Sequence, residues 1–184
     1  MSIANSESSV LVIIDVQQRL AAAMPELDAS ILVKQTSVLL TGAKALNVPV
    51  IVTEQYPKGL GHTEPDLLSM LSDDAVVIEK TCFSCMQSDE FGHTLSALGR
   101  QHVIVVGMES HICVMQTVLA LKHAGYDVSV VEDAVCSRND AHKANALHRM
   151  RHNGVTVTNA ESVLFEWLGD AKHPEFRALS KLII

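Results

Sequence analysis

Aromatic residues are scarce in this chain: four Phe, two Tyr and one Trp in 184 residues, although 48% of the residues are hydrophobic. A core with so few rings must be aliphatic, of the Val, Ile and Leu kind that buries both faces of a parallel sheet. Basic charge is also short, with 14 Lys and Arg against 21 Asp and Glu and a formal net charge of −7. That balance excludes a protein holding nucleic acid or an anionic membrane surface through a Lys/Arg stripe, and leaves a small molecule as the expected partner. No apolar run reaches the ~18 residues of a membrane span. The opening "MSIANSESSV" has no basic region leading into an apolar stretch, which sets the expectation of a cytoplasmic protein. Four cysteines are too few for a disulfide scaffold, and in such a compartment they stay reduced. A chain of this length buries roughly 70% of its unfolded surface without staples, so one domain over residues 1–184 is expected.

What is present is an alternation. Six short apolar runs read as strands: "VLVIID" (10–15), "PVIVTEQ" (49–55), "VVIEK" (76–80), "HVIVVG" (102–107), "DVSVVEDA" (127–134) and "VTVTN" (155–159). Between them, Leu32 to Leu46, Ser88 to Leu98, Cys113 to His123 and Ala141 to His152 carry apolar residues at helical spacing. Repeated βαβ units with right-handed crossovers give a three-layer α/β/α, Rossmann-like domain with a six-stranded, mostly parallel sheet. The long irregular stretch "YPKGLGHTEPDLLSML", residues 56–71, reads as a binding loop.

Ligands of open α/β sheets sit outside the carboxyl ends of the strands. Those ends carry Asp15, then Glu54 and Gln55, then Glu79 and Lys80, then Gly107 ahead of Cys113, then Glu132 and Asp133. A helix starting near Ile112 would set its unpaired N–H groups and positive dipole end beside the Cys113 sulfur. Such placement lowers a thiol pKa to about 3.5 to 7.5 and offers donors for an oxyanion, so a thiolate near neutrality is expected. The competing reading of Cys113 is a small buried hydrophobe. His111 lies two residues from Cys113 at a strand-to-helix turn, a spacing that favours an exposed turn residue over a catalytic base. Asp15 emerges from a buried strand, where a raised pKa suits proton transfer, and Lys80 can stabilise both carboxylate and thiolate; a structural Asp–Lys ion pair is the alternative.

"VLVIIDVQ", "VVIEKTCFSC" and "VVGMESHICVMQT" resemble the signature segments of the isochorismatase-like cysteine hydrolases, a superfamily that includes nicotinamidases and N-carbamoylsarcosine amidases. "TEQYPKGLG" and the stretch from "DAVCSRND" onwards resemble its isochorismatase-domain-containing subgroup, so the likeness spans nearly the whole chain. The resemblance implies Asp15 as general base and acid, Lys80 as the charge-stabilising lysine and Cys113 as nucleophile. It also implies a cis peptide bond from Met108 to Glu109 and oxyanion donors in the backbone N–H groups of Glu109 and Cys113. An amide substrate would then pass through a Cys113 thioester. Nicotinamidases carry an Asp-x-His metal motif after the second strand, whereas "TEQYP" stands here and Glu54 with the sequence-distant His62 does not rebuild it. No metal and no cofactor are therefore expected. Isochorismate cleavage without a covalent intermediate stays open as an alternative, as does a binding or scaffold protein that has lost turnover.

Gln17, Gln55 and Tyr56 follow strand ends that face the site and are candidate substrate contacts, with Phe83 and Cys82 as pocket lining beside Lys80. "CFSC" lacks the second ligand pair of a zinc site and the placement of a redox motif. "HRMRH" sets His148 and His152 one turn apart without an acidic partner and reads as an exposed helix face. The tail "WLGDAKHPEFRALSKLII" caps the sheet edge or packs on a second subunit, the latter favoured by the family's habit of forming homo-oligomers.

Overall fold

The computed structural model describes residues 3–183. Six parallel strands form one sheet: β1 (Ser9–Ile14), β2 (Val50–Gln55), β3 (Val76–Lys80), β4 (His102–Met108), β5 (Asp127–Cys136) and β6 (Thr156–Thr158). Their order is β3-β2-β1-β4-β5-β6. The chain builds outward from β1 to β3, then crosses back to lay β4 on the other side of β1. The crevice between the carboxyl ends of β1 and β4 is thus the point where strand order reverses, the usual ligand position in such sheets.

β1 is buried at every position. Because strand side chains alternate, its Leu11 and Ile13 pack on one face with helices Glu26–Ala45 and Ala160–Leu168, through Leu32, Leu39, Val163 and Trp167. Its Val10, Val12 and Ile14 pack on the other face with helices Asp89–Ala97, Met115–His123 and Asp140–His152, through Phe91, Val118 and Met150. The aliphatic composition therefore serves two apolar layers around one sheet, the three-layer α/β/α arrangement expected. Among the described residues, three of the five long helices begin at a polar cap: Ser88 accepts from Phe91 N–H, Asn139 from Ala141 N–H and Asn159 from Ser162 N–H.

The differences from the sequence reading are local. The first long helix starts at Glu26, six residues before Leu32, because Pro25 precedes its first turn and Glu26 and Asp28 sit at its positive end. Apolar spacing is absent from that turn. The 56–71 stretch holds two helical turns, Pro57–Leu60 and Pro65–Leu68, each begun by a proline. Helix Ala160–Leu168 was not expected and takes in the first two residues of the tail, Trp167 and Leu168. β5 runs on to Cys136 beyond a register shift against Val105 and Gly107, so Glu132 and Asp133 stand within the strand rather than at its end. Asp133 accepts from Ala160 N–H at 2.9 Å and steadies the start of that helix, while Glu132 faces Arg151 at 4.0 Å.

Candidate active site

Asp15 is the residue at which the chain leaves β1. Its φ of 53° is left-handed, its N–H donates to Thr53 O, and its side chain remains wholly buried. Lys80 ends β3, two strands away, and its Nζ donates to Asp15 Oδ2 at 2.7 Å, Gln55 Oε1 at 2.7 Å and Cys82 O at 3.3 Å. All three ammonium hydrogens are thereby used. The other carboxylate oxygen, Oδ1, accepts from Thr53 Oγ1 at 2.7 Å. The Cys113 thiol is the remaining neighbour, its proton affinity and that of Asp15 each shifted by the other. The structure thus gathers Asp15, Lys80 and Cys113 into one cluster from three separate segments.

Cys113 sits on a π-type turn, Ser110–Val114, that precedes helix Met115–His123, with Val114 N–H reaching back five residues to Glu109 O. Single π turns of this kind are frequent at functional sites. The Met108–Glu109 peptide bond is cis. Just before it, Gly107 adopts φ +130°, and a Cβ there would lie 2.1 Å from Ile14 O. Only glycine lets β4 approach the end of β1 this closely, and that approach brings the Cys113 turn to Asp15.

The electrostatics correct the sequence expectation for the thiol. Burial, with the Asp15 carboxylate beside it, pushes Cys113 far above the ordinary thiol range, although Lys80 pulls the other way. Cys113 is 6% exposed and its thiol rests protonated. Burial also lifts the Asp15 carboxyl, opposed by Lys80, Thr53 and Cys113. The Lys80 ammonium bears the same burial, but Asp15 holds it above its ordinary value. The sealed 2.7 Å contact is that of a carboxylate–ammonium pair, and burial readies the carboxylate to take a proton.

A cavity of about 540 Å³ opens at the end of β3, lined by Tyr56, Pro57, Lys58, Glu79, Lys80 and Cys82 among others; Asp15 and Cys113 are not in its lining, and the Lys80 side chain is sealed from solvent. Tyr56 is 56% exposed at its wall, and Phe83, 54% exposed, stands outside the lining. Gln17 and Gln55, expected as substrate contacts, both make hydrogen bonds within the protein. The Gln17 amide accepts from Gln55 N–H at 2.7 Å and donates to Gln55 O and Gly61 O, clamping the Pro57–Leu60 turn to the end of β1. The Gln55 amide is spent on Lys80 and on Thr81 O, and orients the lysine.

His111, expected as an exposed turn residue, is partly buried. Its Nδ1 meets Ser137 Oγ at 3.0 Å and its ring lies 4.7 Å from that of His142. The Glu109 side chain pairs with Arg138 at 2.7 Å. His62, distant from Glu54 in sequence, contacts it at 2.9 Å, while Glu54 also accepts from Thr63 N–H and Oγ1. Among the described residues no three of His, Cys, Asp and Glu converge as a metal site. His148 and His152 are exposed. Sequence reasoning overlooked Thr53 and weighed Cys85 only as part of "CFSC"; both lie behind Asp15, where the Cys85 thiol donates to Thr53 Oγ1 at 3.7 Å. The signal was a threonine within the otherwise aliphatic start of "VIVTEQ".

Residues 9–162 match the model of the isochorismatase domain. Isochorismatase domain-containing protein 2 of Xenopus laevis is 39% identical over 180 residues, covering 96% of this chain and 84% of its own. The secreted isochorismatase effector Isc1 of Phytophthora sojae is 40% identical over 179 residues, with 96% and 84% covered. Among solved structures, the MAR1 ribonuclease of Caenorhabditis elegans superposes with a TM-score of 0.93 at 36% identity, covering 99% of this chain and 92% of that one. With a family model spanning most of its length and relatives near 40% identity across nearly all of it, this chain belongs to the isochorismatase-like hydrolase family.

Proposed function

We propose that this protein is a metal-independent cysteine hydrolase that cleaves a C–N bond of a small amide or carbamoyl compound. The observation that carries the reading is the sealed Asp15–Lys80–Cys113 cluster at the carboxyl ends of the strands. Asp15 takes the thiol proton as the sulfur attacks the carbonyl carbon, so that the thiolate exists only as it reacts. The N–H groups of Glu109 and Cys113 hold the oxyanion. Collapse breaks the C–N bond, Asp15 returns the proton to the leaving nitrogen, and a thioester remains on Cys113. Water then attacks, gives a proton to Asp15, and the acid is released as the thiol regains its hydrogen. Lys80 keeps the carboxylate in place and balances its charge throughout.

A second reading, hydrolysis of an isochorismate-type vinyl ether, draws on the family match and on the raised proton affinity of Asp15. There Asp15 protonates the vinyl carbon, water adds to the cation, and Cys113 forms no bond. The name of the Caenorhabditis relative adds RNA to the substrates to be tested, although a net charge of −7 speaks against a phosphate backbone here. The proposal treats residues 1–184 as one domain. Unpaired cysteines support a reducing, cytoplasmic setting, a point set against the word secreted in the Phytophthora relative's name. Among the described residues no helix is long and apolar enough to cross a membrane. Edge strand β3 exposes Val76 and Val77, which supports a homo-oligomer.

The test is a screen of small amides, carbamoyl compounds, isochorismate and RNA with wild type and Cys113→Ala. Turnover of an amide or carbamoyl compound that vanishes in the variant, with thermal unfolding unchanged, is expected. Turnover retained by Cys113→Ala removes the nucleophile and leaves the vinyl-ether mechanism. A folded wild type that turns over nothing in the screen favours a binding protein.

A further inference from the structure

We infer that Thr53, with Cys85 behind it, is a positioning residue that keeps Asp15 free to accept the proton of Cys113, a role that rests on the hydrolase reading above. Thr53 and Cys85 are fully buried and take no part in the bond-making steps. A hydroxyl has one hydrogen to give. Here the Cys85 S–H is directed at a lone pair of Thr53 Oγ1, at 3.7 Å, and the Thr53 hydrogen goes to Asp15 Oδ1, at 2.7 Å. Cys85 is itself fixed by the bond from its backbone N–H to Thr117 Oγ1, at 2.9 Å. The chain Cys85–Thr53–Asp15 therefore points one way, with every donor aimed toward the carboxylate.

The direction matters because Asp15 must be ionised at rest to act as a base. Burial drives it toward the acid form, and three donors oppose that: Lys80 from β3, Thr53 from β2 and Cys113 from the π turn. The charged and titratable groups around it are Lys80, Cys113 and, beyond Thr53, Cys85; Glu54, next on β2, is turned to His62 and Thr63. The Cys113 hydrogen leaves during the reaction. Lys80 and Thr53 are then the donors that remain, and Thr53 alone is neutral, so its bond steadies Oδ1 without adding charge to the site. The proton that moves is the one from Cys113; Thr53 and Cys85 exchange none.

The probe is iodoacetamide, with the rate of Cys113 alkylation followed by peptide mass from pH 5 to 9, in a Cys82→Ser background because Cys82 is partly exposed. Asp15→Asn serves as the control without a base. In Thr53→Val the carboxyl binds its proton more tightly, and the acid limb of the profile moves up by about one pH unit, slowing alkylation roughly tenfold at any pH on that limb. Thr53→Ser keeps the hydroxyl and the wild-type profile. Cys85→Ala, which frees the Thr53 hydroxyl to rotate, moves the limb the same way by less. Should Thr53→Val fail to fold, Thr53→Ala removes the same hydroxyl. Superimposable profiles for wild type and the hydroxyl-free variant, or an equal shift in Thr53→Ser, overturn the assignment, since a purely structural role changes unfolding and not the profile. A wild-type Cys113 inert at every pH overturns the hydrolase reading instead.

Discussion

Replacing Lys80 by Met leaves the Asp15 carboxyl buried without its cation, and the cost can be worked from the site. Both side chains are sealed from solvent and in contact at 2.7 Å. An unpaired buried carboxylate costs several kcal/mol, about 3 to 5 when one partner of a buried pair is removed. The variant has a second option, which is to fold with Asp15 protonated. In the unfolded chain the group ionises near pH 3.9, so protonating it at pH 7 costs about 4 kcal/mol, at about 1.4 kcal/mol per pH unit. This sets a ceiling that depends on pH. The folded pKa is raised, so the stability of the variant is fully present below the unfolded pKa and is lost as pH rises above it. At pH 5 the penalty shrinks to about 1.5 kcal/mol. Equilibrium urea unfolding of wild type, Lys80→Met and the double variant Asp15→Asn with Lys80→Met, at pH 5, 6 and 7, measures it. The single variant should lose about 1.4 kcal/mol more per pH unit, and the double variant should show no such slope. A penalty below about 1 kcal/mol at pH 7, or one independent of pH, would refute the buried ion pair.

Gly107→Ala should cost about 3 kcal/mol or more, because its Cβ meets the Ile14 backbone at a positive φ; an unfolding midpoint equal to wild type contradicts that contact. His102 is 4% exposed, lies 2.8 Å from Ser129 Oγ, and burial holds its pKa below the usual range. The unfolded chain therefore takes up the proton first, and stability falls as pH drops below about 6.5, by at most about 1.4 kcal/mol at pH 5.5 from this residue. His102→Gln should flatten that part of the urea-midpoint profile, leaving the smaller share of His111, whose pKa burial also lowers. An unchanged slope would mean that His102 is protonated in the folded protein.

The sheet was legible because its strands are short aliphatic runs separated by helical spacing, and the runs ending in Asp15 and Lys80 lead into the site. The cluster was legible only as types of residue at strand ends. Nothing in the spacing of Asp15, Lys80 and Cys113 states that they touch; strand order does, by setting β1 beside β4 and β2. The partners of Gln17 and Gln55 were not legible, because an exposed and a clamped amide look alike in sequence. The Cys113 thiol was expected to ionise easily from its place before a helix, a local argument that burial and Asp15 outweigh. Thr53 carries a weak signal, one hydroxyl in a buried strand, whose partner lies 38 residues away.

The central claim is that Cys113 forms a covalent bond to the substrate. Its most direct test is intact-mass measurement of the enzyme quenched in acid during turnover of an amide or carbamoyl substrate. An added mass equal to the acyl fragment, mapped to Cys113 and absent from Cys113→Ala, is the predicted result. Continued turnover by Cys113→Ala, with no added mass on the wild-type enzyme, would contradict it.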